Sequence, residues 1–343
     1  MKSRIPVRIP KTFQRGYRRW VLIAAMALTL IVALYLAVSY SIVSASLAPA
    51  PRCPDQTPAD SGVAAEALRF RSDVDGISLS GWFLPSRGHR AIVLIHGLND
   101  QGWNSSSADI AKAYVEAGFD VLVFDLRGHG SSSGDRLGLG WHERRDLRAA
   151  VNLLLDRGFI SGTIGVHGGS YGAAVALLSA AAIPEIGAVV AGSAFADMRD
   201  VMDAQIEDRT GVPSWLSKQV LRPGLAFVAL HFYGLDLDVI PPERAVPDIA
   251  PRPILFIHGS EDPVIPIEHA YRLRGASRNP SDELWVLPLP GHTSGVRLPG
   301  KPCETKEVSP LRETYLRKVV AFFDRSLPPS TPASELVTKP LSD

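Results

Sequence analysis

Cysteine and net charge are both scarce in this sequence, and each absence narrows the range of functions. Two cysteines, Cys53 and Cys303, occur among 343 residues, and neither belongs to a cysteine and histidine cluster with zinc spacing. No two histidines lie four positions apart with a glutamate between them, so we expect no metal site. The 36 basic and 35 acidic side chains leave a net charge of +1, which gives no indication of nucleic-acid binding.

Charge is also absent from a long segment near the N-terminus. Residues 1–20 carry basic side chains and no acidic one, whereas Val21–Val43 carries no charge. A helix rises about 1.5 Å per residue, so this segment would cover ~34 Å and could cross a hydrocarbon core of ~30 Å. Trp20 and Tyr40 would then lie near the two interfaces, where aromatic side chains are enriched. Because basic flanks stay in the cytoplasm, the sequence predicts a cytoplasmic segment at 1–20, a transmembrane helix at 21–43 and an extracytoplasmic remainder.

Two other interpretations of this segment remain. The tripeptide Ser46-Leu47-Ala48 has the small-x-small pattern of a signal-peptide cleavage site. The apolar run Val21–Val38, however, exceeds the ~7–15 residues that are usual in a signal peptide, which favours an uncleaved anchor. The remaining interpretation is a soluble cytoplasmic protein.

Proline-rich segments flank the rest of the chain. Their composition predicts a linker at 44–64 and a disordered tail at 327–343, with one folded domain at 65–326 between them. Outside the cytoplasm, oxidising conditions would permit a disulfide between Cys53 and Cys303. Two free thiols are the alternative.

Short apolar runs alternate with helical patterns across the folded domain. Asp75-Gly76 separates two short strand candidates, Leu68–Arg71 and Ile77–Phe83, and is typical of a hairpin turn. Six further runs rich in Val, Ile and Leu resemble strands that are buried on both faces. The sequence therefore predicts an α/β fold with a mostly parallel eight-stranded sheet and helices on both faces. The six runs are Ala91–Ile95, Phe119–Phe124, Thr163–Val166, Ala188–Ala191, Ile254–Ile257 and Glu283–Leu287; the clearest helical patterns are Ser107–Ala117, His142–Arg157 and Ala173–Ala182.

The alternation stops between about residues 193 and 250, where no strand pattern occurs. Met198, Val201, Met202 and Ile206 follow helical spacing. We expect a small helical cap over the carboxyl ends of the strands, with an ordinary long crossover as the alternative. The apolar run Leu225–Leu230 favours an apolar or lipid-like group as the ligand of this cap.

The segment Gly168-Gly169-Ser170-Tyr171-Gly172 lies between a strand pattern and a helix pattern. In a G-x-S-x-G turn the serine has a strained backbone and an exposed hydroxyl, and glycines let the strand and the helix approach closely. A nucleophilic serine needs a base within hydrogen-bonding distance and an acid that orients the base. Both should follow the serine in the chain, in the order acid, then histidine.

Two loops after predicted strands supply these groups. Asp262 follows the strand that ends at Ile257, and His292 follows the one that ends at Leu287. Glu261 is the alternative acid, and His258 is a weaker candidate for the base than His292. The other candidate histidines are expected to be structural or solvated: His129, His142, His167, His231 and His269. Upstream, His96-Gly97-Leu98 ends another strand, and the N–H groups of Leu98 and Tyr171 would form an oxyanion hole.

These motifs closely resemble the α/β-hydrolase superfamily from about Leu68 to Phe323. The resemblance is greatest to the serine aminopeptidase and monoacylglycerol lipase-like branch, which overlaps with bacterial hydrolases that carry an N-terminal anchor. It implies that Ser170 is the nucleophile, Asp262 the orienting acid and His292 the general base. It also implies that Asp125–Ser132 matches the D-x-R-G-x-G-x-S segment of this branch. One departure follows His292, where Thr293–Cys303 is longer than the usual connection to the last helix.

The expected function is a membrane-anchored serine hydrolase that cleaves carboxylic esters, lipid-like acyl substrates included, through an acyl-enzyme without a cofactor. A serine peptidase is the first alternative, in which Glu207, Asp208 or Glu243 would pair with the amino terminus of a substrate. A non-catalytic binding module on the same fold is the second alternative. The sequence does not predict the oligomeric state.

Overall fold

A computed structural model of the chain describes residues 11–49, 56–72, 74–86, 88–298 and 306–329. Cys53 and Cys303 lie outside these ranges, so the disulfide stays a prediction. Most of the expected tail at 327–343 and half of the basic segment at 1–20 also lie outside them.

An eight-stranded sheet forms the centre of the molecule. The strand order is β1-β2-β4-β3-β5-β6-β7-β8. The pairs β1–β2 and β2–β4 are antiparallel, and all other neighbours are parallel. The predicted mostly parallel eight-stranded sheet is therefore confirmed. The strands are β1 (Glu66–Arg71), β2 (Ser78–Leu84), β3 (Ala91–Ile95), β4 (Asp120–Phe124), β5 (Ile164–Gly169), β6 (Ile186–Gly192), β7 (Ile254–Glu261) and β8 (Glu283–Pro290).

Helices cover both faces of this sheet. α3, α4 and α9 pack on one face, where Leu147 and Leu273 are buried, and α2 and α10 pack on the other face, where Tyr114 and Phe323 are buried. The helices are α1 (Lys11–Ser46), α2 (Ser105–Glu116), α3 (Glu143–Asp156), α4 (Tyr171–Ala182), α5 (Met198–Thr210), α6 (Ser214–Leu216), α7 (Arg222–Tyr233), α8 (Pro242–Ala245), α9 (Glu268–Ala276) and α10 (Arg312–Ser326). A π-helical turn, Ser217–Leu221, joins α6 to α7, and 3-10 turns cover Pro58–Ser61 and Val246–Asp248.

Two central strands extend beyond the apolar runs that predicted them. β5 continues from Val166 to Gly169, and β7 continues from Ile257 to Glu261. Strand pairing uses backbone groups, so glycine pairs such as Gly169 and Gly192 extend the ladder without an apolar side chain. The extensions carry the chain to the edge where the candidate site lies.

The turn between β5 and α4 brings backbone atoms into close contact. Ser170 has φ +54° and ψ −119°, an uncommon conformation for a residue other than glycine. A Cβ atom at Gly172 would lie 2.4 Å from the carbonyl oxygens of both Ile95 and His96. At Gly168 it would lie 2.3 Å from the carbonyl oxygen of Gly172. Both positions therefore require glycine.

The N-terminal helix α1 is long and apolar enough, from Tyr17 to Ser46, to span a membrane by length and composition. It continues three residues past the expected end at Val43. The reason is packing, since Val43 and Leu47 are buried in an apolar cluster with residues of α7. The backbone N–H of Leu137 also donates to the carbonyl oxygen of Leu47, at 2.9 Å. The first residues of the expected linker at 44–64 are therefore held against the domain.

The segment expected to form a cap is helical from α5 to α8, and its described residues contain no strand. Asp197 caps α5 by accepting a hydrogen bond from the N–H of Arg199, at 2.9 Å. Gly211 and Gly234 end α5 and α7 in the left-handed conformation that glycine favours.

Replacing Gly172 with alanine should destabilise the fold by about 2–3 kcal/mol, because the new methyl group would overlap two carbonyl oxygens that cannot move independently. Gly169 offers a matched control, since a Cβ atom there would meet only the methyl group of Thr293, at 3.9 Å. Urea unfolding of the full chain in detergent measures both variants. Equal stabilities for Gly172→Ala and Gly169→Ala would contradict the steric explanation.

Candidate active site

The structure brings Ser170 and His292 together at the carboxyl ends of β5 and β8. Nε2 of His292 lies 2.6 Å from the hydroxyl oxygen of Ser170, although 122 residues separate them in the chain. The distance is within hydrogen-bonding range, so the imidazole can accept the hydroxyl proton.

The other ring nitrogen of His292 contacts Asp262. Nδ1 lies 2.7 Å from Oδ2 of Asp262, a carboxylate with no solvent exposure. The second oxygen, Oδ1, accepts hydrogen bonds from the N–H groups of Val264 and Ile265. Burial alone would raise the pKa of Asp262, but the hydrogen bond and charge of His292, together with the two N–H donors, lower it below its ordinary value. Asp262 is therefore held as a carboxylate.

The two weaker candidates take other positions. Glu261 is exposed at the end of β7, so the acid that contacts His292 is Asp262. Nε2 of His258 lies 2.8 Å from the carbonyl oxygen of Ile265 and 3.7 Å from Oδ2 of Asp262. His258 therefore supports the loop that carries the acid.

Of the two residues expected to supply oxyanion donors, Leu98 lines the same cavity as Ser170, and Tyr171 follows Ser170 directly in the chain. The N–H of Ser170 donates to the carbonyl oxygen of Gly192, at 2.7 Å, and is not available. Tyr171 is the first residue of α4, where an N–H has no partner within its helix and the helix dipole favours negative charge. Within the described chain, the N–H groups of Tyr171 and Leu98 have no acceptor.

His96 holds the loop that carries Leu98. Its Nε2 accepts a hydrogen bond from the N–H of Leu126, so its proton lies on Nδ1 and is donated to the carbonyl oxygen of Gly97, at 2.8 Å. Burial lowers the pKa of His96, which keeps the ring in this neutral form. The ring of His129 packs edge-on against it at 4.7 Å.

The segment Asp125–Ser132 stabilises the same region. Its aspartate accepts hydrogen bonds from the N–H groups of Gly102 and Ser131, at 2.7 and 2.9 Å. Arg127 forms a buried ion pair with Asp146 of α3, at 2.6 Å. These contacts join the loops after β3 and β4 to the helix layer, so the segment positions the site and does not face the serine.

Ser170 opens into a cavity of about 340 Å³. Apolar side chains from three strands and α2, including Leu94, Ile110 and Leu287, line its wall. The long segment after His292 forms another wall, because residues 296–298 pair with residues 307–309 through hydrogen bonds such as the N–H of Leu298 to the carbonyl oxygen of Glu307. This departure from the expected pattern therefore shapes the cavity.

The cap does not line this cavity. The described lining residues include Ser193 and Ile257 but none between them. Leu225 and Val228, which we expected to face an apolar ligand, pack against α1 instead, so that expectation is wrong. The carboxylates considered for a peptidase also lie outside the lining: Glu243 pairs with Arg272, and Glu207 and Asp208 are exposed.

A chain of polar groups that the sequence analysis missed lies under the serine. His167 is held between the hydroxyl groups of Tyr114, at 2.9 Å, and Tyr315, at 3.1 Å. Tyr114 is fully buried and has His167 as its acceptor, so the histidine must donate its own proton to Tyr315. The hydroxyl proton of Tyr315 is then free to point into the cavity. No sequence signal marks Tyr315, because it lies on an ordinary amphipathic helix.

A metal ion has no evident place in the described part of the chain, where no group of three His, Cys, Asp or Glu side chains could hold one. The lining does contain the hydroxyl of Ser170 and the imidazole of His292, and Leu98 lies in the same lining.

Comparison with known proteins places this chain in a family. Residues 92–302 match the model of the alpha/beta hydrolase family, and the match includes Ser170, Asp262 and His292. The chain belongs to the alpha/beta hydrolase family. It is 31% identical over 252 residues to the uncharacterized protein YqkD of Bacillus subtilis. The aligned region covers 73% of this chain and 76% of YqkD. The chain is 27% identical over 223 residues to the uncharacterized protein YfhR of Escherichia coli K12. That aligned region covers 63% of this chain and 69% of YfhR.

Solved structures show the same fold. The esterase Pf2001 of Pyrococcus furiosus has a TM-score of 0.64 at 24% identity, over 82% of this chain and 99% of that one. The esterase domain of a Rhodothermus marinus protein has a TM-score of 0.52 at 20% identity, over 76% of this chain and 99% of that one. The predicted α/β-hydrolase fold is therefore confirmed.

The buried histidine under the cavity should make stability depend on pH. Burial lowers the pKa of His167 to about 3, from 6.5 in an ordinary setting. The unfolded chain therefore binds this proton below about pH 6.5 while the native protein does not, so stability falls from there towards pH 3 by up to ~1.4 kcal/mol per pH unit. The free energy of unfolding, measured with denaturant between about pH 7 and 5, should fall less steeply with decreasing pH for His167→Gln than for the wild type. The two slopes against pH should differ by up to about one bound proton. Equal slopes would refute this.

Proposed function

We propose that the protein is a membrane-anchored serine hydrolase that cleaves carboxylic esters with apolar acyl groups through a Ser170–His292–Asp262 triad. The observation that carries the proposal is the bridging position of His292, 2.6 Å from Ser170 and 2.7 Å from Asp262. A hydroxyl, an imidazole and a buried carboxylate in this order are the groups that acyl transfer requires.

In the proposed mechanism, the hydroxyl oxygen of Ser170 attacks the ester carbonyl while His292 takes its proton. Asp262 stabilises the imidazolium that forms, and the N–H groups of Leu98 and Tyr171 donate to the oxyanion. His292 then protonates the leaving alcohol, which departs and leaves an acyl group on Ser170. A water molecule repeats these steps on the acyl-enzyme and releases the acid. No cofactor takes part.

The cavity supports an apolar acyl group as the substrate. Leu94, Ile110 and Leu287 provide an apolar wall. The polar side chains of the lining include Asp100, Lys306 and Tyr315. Two of the proteins with the same fold are esterases by name, which agrees with an ester substrate. The three acids considered for a peptidase, Glu207, Asp208 and Glu243, lie outside the cavity lining.

The anchor is part of the proposal. The described side chains from residue 17 to residue 34 are exposed, and those from Val21 onwards are uncharged. In water this surface would be costly, whereas in a bilayer it would face lipid. Because basic flanks usually stay in the cytoplasm, the basic residues before it support a cytoplasmic N-terminus and a domain on the other side of the membrane.

Asp262→Asn should lower kcat by about 10⁴-fold, because the amide cannot stabilise the imidazolium. The neighbouring Glu261→Gln is the matched control and should keep nearly wild-type turnover, since this side chain is exposed. Hydrolysis of a short soluble ester by the full chain in detergent measures both.

Ser170→Ala should also abolish labelling by a fluorophosphonate. Full labelling of that variant, or normal turnover by Asp262→Asn, would overturn the triad.

Alkaline carbonate extraction of membranes tests the anchor. The wild-type protein should remain in the pellet, because spanning helices resist this treatment. A variant with Leu30→Arg and Leu34→Arg should move to the supernatant, since each charge costs roughly 3 kcal/mol at the centre of a spanning helix. Ile160→Arg, at an exposed site before β5, should stay in the pellet. Release of the wild-type protein would contradict the proposed anchor.

A further inference from the structure

The cap carries an apolar face that no described part of the chain covers. On its inner side, α7 buries Leu225, Val228 and Ala229 against α1 and the domain. On the opposite side lie four exposed side chains at helical spacing, which we call the α7 stripe. The stripe consists of Val220, Pro223, Phe227 and Leu230. A helix that is apolar all round is typical of a protein interior or a membrane, and not of a surface in water.

Contacts with α1 fix the height of this stripe along the anchor helix. The hydroxyl of Tyr35 donates to the carbonyl oxygen of Val220, at 2.5 Å. At the other end of α7, the ring of Tyr233 stacks on Tyr40, with centroids 6.1 Å apart. The first turn of α7 is therefore level with Tyr35, and its last turn is level with Tyr40.

Between these ends the two helices are in close contact. A Cβ atom at Gly224 would lie 2.4 Å from the hydroxyl oxygen of Ser39 and 2.6 Å from the ring of Tyr35. Such a tight approach leaves no room for α7 to slide along α1. The height of the stripe is therefore set by the position of α1 in the bilayer.

That height places the first turn of α7 inside the hydrocarbon boundary and its last turn at the boundary. A core of ~30 Å takes about 20 helical residues, which is the separation of Trp20 and Tyr40. Tyr35 precedes Tyr40 by five positions, so it would lie about 8 Å inside the boundary. Interfacial helices bury their apolar face about 5–10 Å deep, and the first turn of α7 falls within this range.

The charges near α7 are compatible with such a position. Arg222 turns away from the stripe and pairs with Asp200, at 2.7 Å, and with Asp203. Lys218 is half exposed, and its long side chain can reach the headgroups from the turn before α7. No charged side chain lies on the stripe itself.

We propose that the α7 stripe inserts into the outer leaflet of the membrane beside α1, so that the occupant of this face is lipid. The inference rests on the proposed anchor. It gives the cap a function other than lining the cavity: the cap seats the domain on the bilayer and holds the serine at a constant height above it.

Fluorescence quenching by lipid in vesicles tests the insertion. Cys53 and Cys303 are replaced by serine, and a single environment-sensitive label is attached through Leu230→Cys, Leu28→Cys or Ile160→Cys. The full chain is reconstituted into vesicles of phosphatidylcholine and phosphatidylglycerol, with or without brominated acyl chains. The label at position 28 measures whether α1 contacts lipid. The label at position 160 is the control in water, because Ile160 precedes β5 and lies at the opposite end of that strand from Ser170. The labels at positions 28 and 230 should be quenched, and the label at 160 should not.

The three labels separate the two proposals. Quenching at position 28 without quenching at 230 would overturn the insertion and leave the anchor intact. Quenching at neither position would overturn both. Self-quenching between labels at 230, without quenching by lipid, would show that a second copy of the chain covers the stripe and would also overturn the insertion.

A variant with native cysteines provides a second readout. Phe227→Ser with Leu230→Ser removes two apolar groups that are 45% and 47% exposed. We expect hydrolysis of an ester embedded in vesicles to fall about tenfold, as the interfacial contact is lost, while hydrolysis of a short soluble ester stays within about twofold. Ile160→Ser is the matched control and should change neither rate. Equal losses on both substrates, or no loss on vesicles, would contradict the proposal.

Discussion

The contact between Gly172 and the carbonyl oxygens of Ile95 and His96 is the constraint on which the candidate site depends. It sets the distance between α4, which begins just after the serine, and the end of β3. Because Leu98 follows that end by three residues, the same contact limits the distance between Ser170 and Leu98. A single backbone approach therefore helps to position both the proposed nucleophile and a proposed oxyanion donor.

The backbone on the other side of the site is strained as well. Ser193 and Thr293 both have positive φ angles, +50° and +55°, and the N–H of Thr293 lies 3.4 Å from the hydroxyl oxygen of Ser193. One residue follows β6 and the other follows His292. Strain of this kind persists only where surrounding structure enforces it, and it is concentrated at functional sites. Both residues line the cavity that contains His292.

Much of the fold could be predicted because apolar runs and glycine turns are local signals. β3 begins and ends where its apolar run does, and the order of acid and histidine after Ser170 was readable from the loops that follow β7 and β8. The packing of α7 could not be predicted, because the run Leu225–Leu230 is equally suited to a ligand, a core or another helix. Only the position of α1 shows which surface it covers.

Tyr315 illustrates the same limit at the site. It lines the cavity, and its hydroxyl contacts His167, 148 positions earlier in the chain, but its own helix looks like any other amphipathic helix. The boundary of α1 was missed for a related reason. Apolar composition ends at Val43, but the helix extends to Ser46 because Leu47 has a buried position against the cap. Both features depend on contacts between distant segments, which periodicity does not encode.

The separation of Ser170 and His292 by 122 positions also has a consequence for the newly made chain. Ribosomes add roughly 5–20 residues per second, so the serine precedes its histidine by about 6–24 seconds of synthesis. Tyr315 and the rest of α10 come later still. The apolar segment of α1 is synthesised before all of them, and as the proposed anchor it would reach the membrane first. The proposed triad would then be completed only after delivery, when α10 closes the cavity.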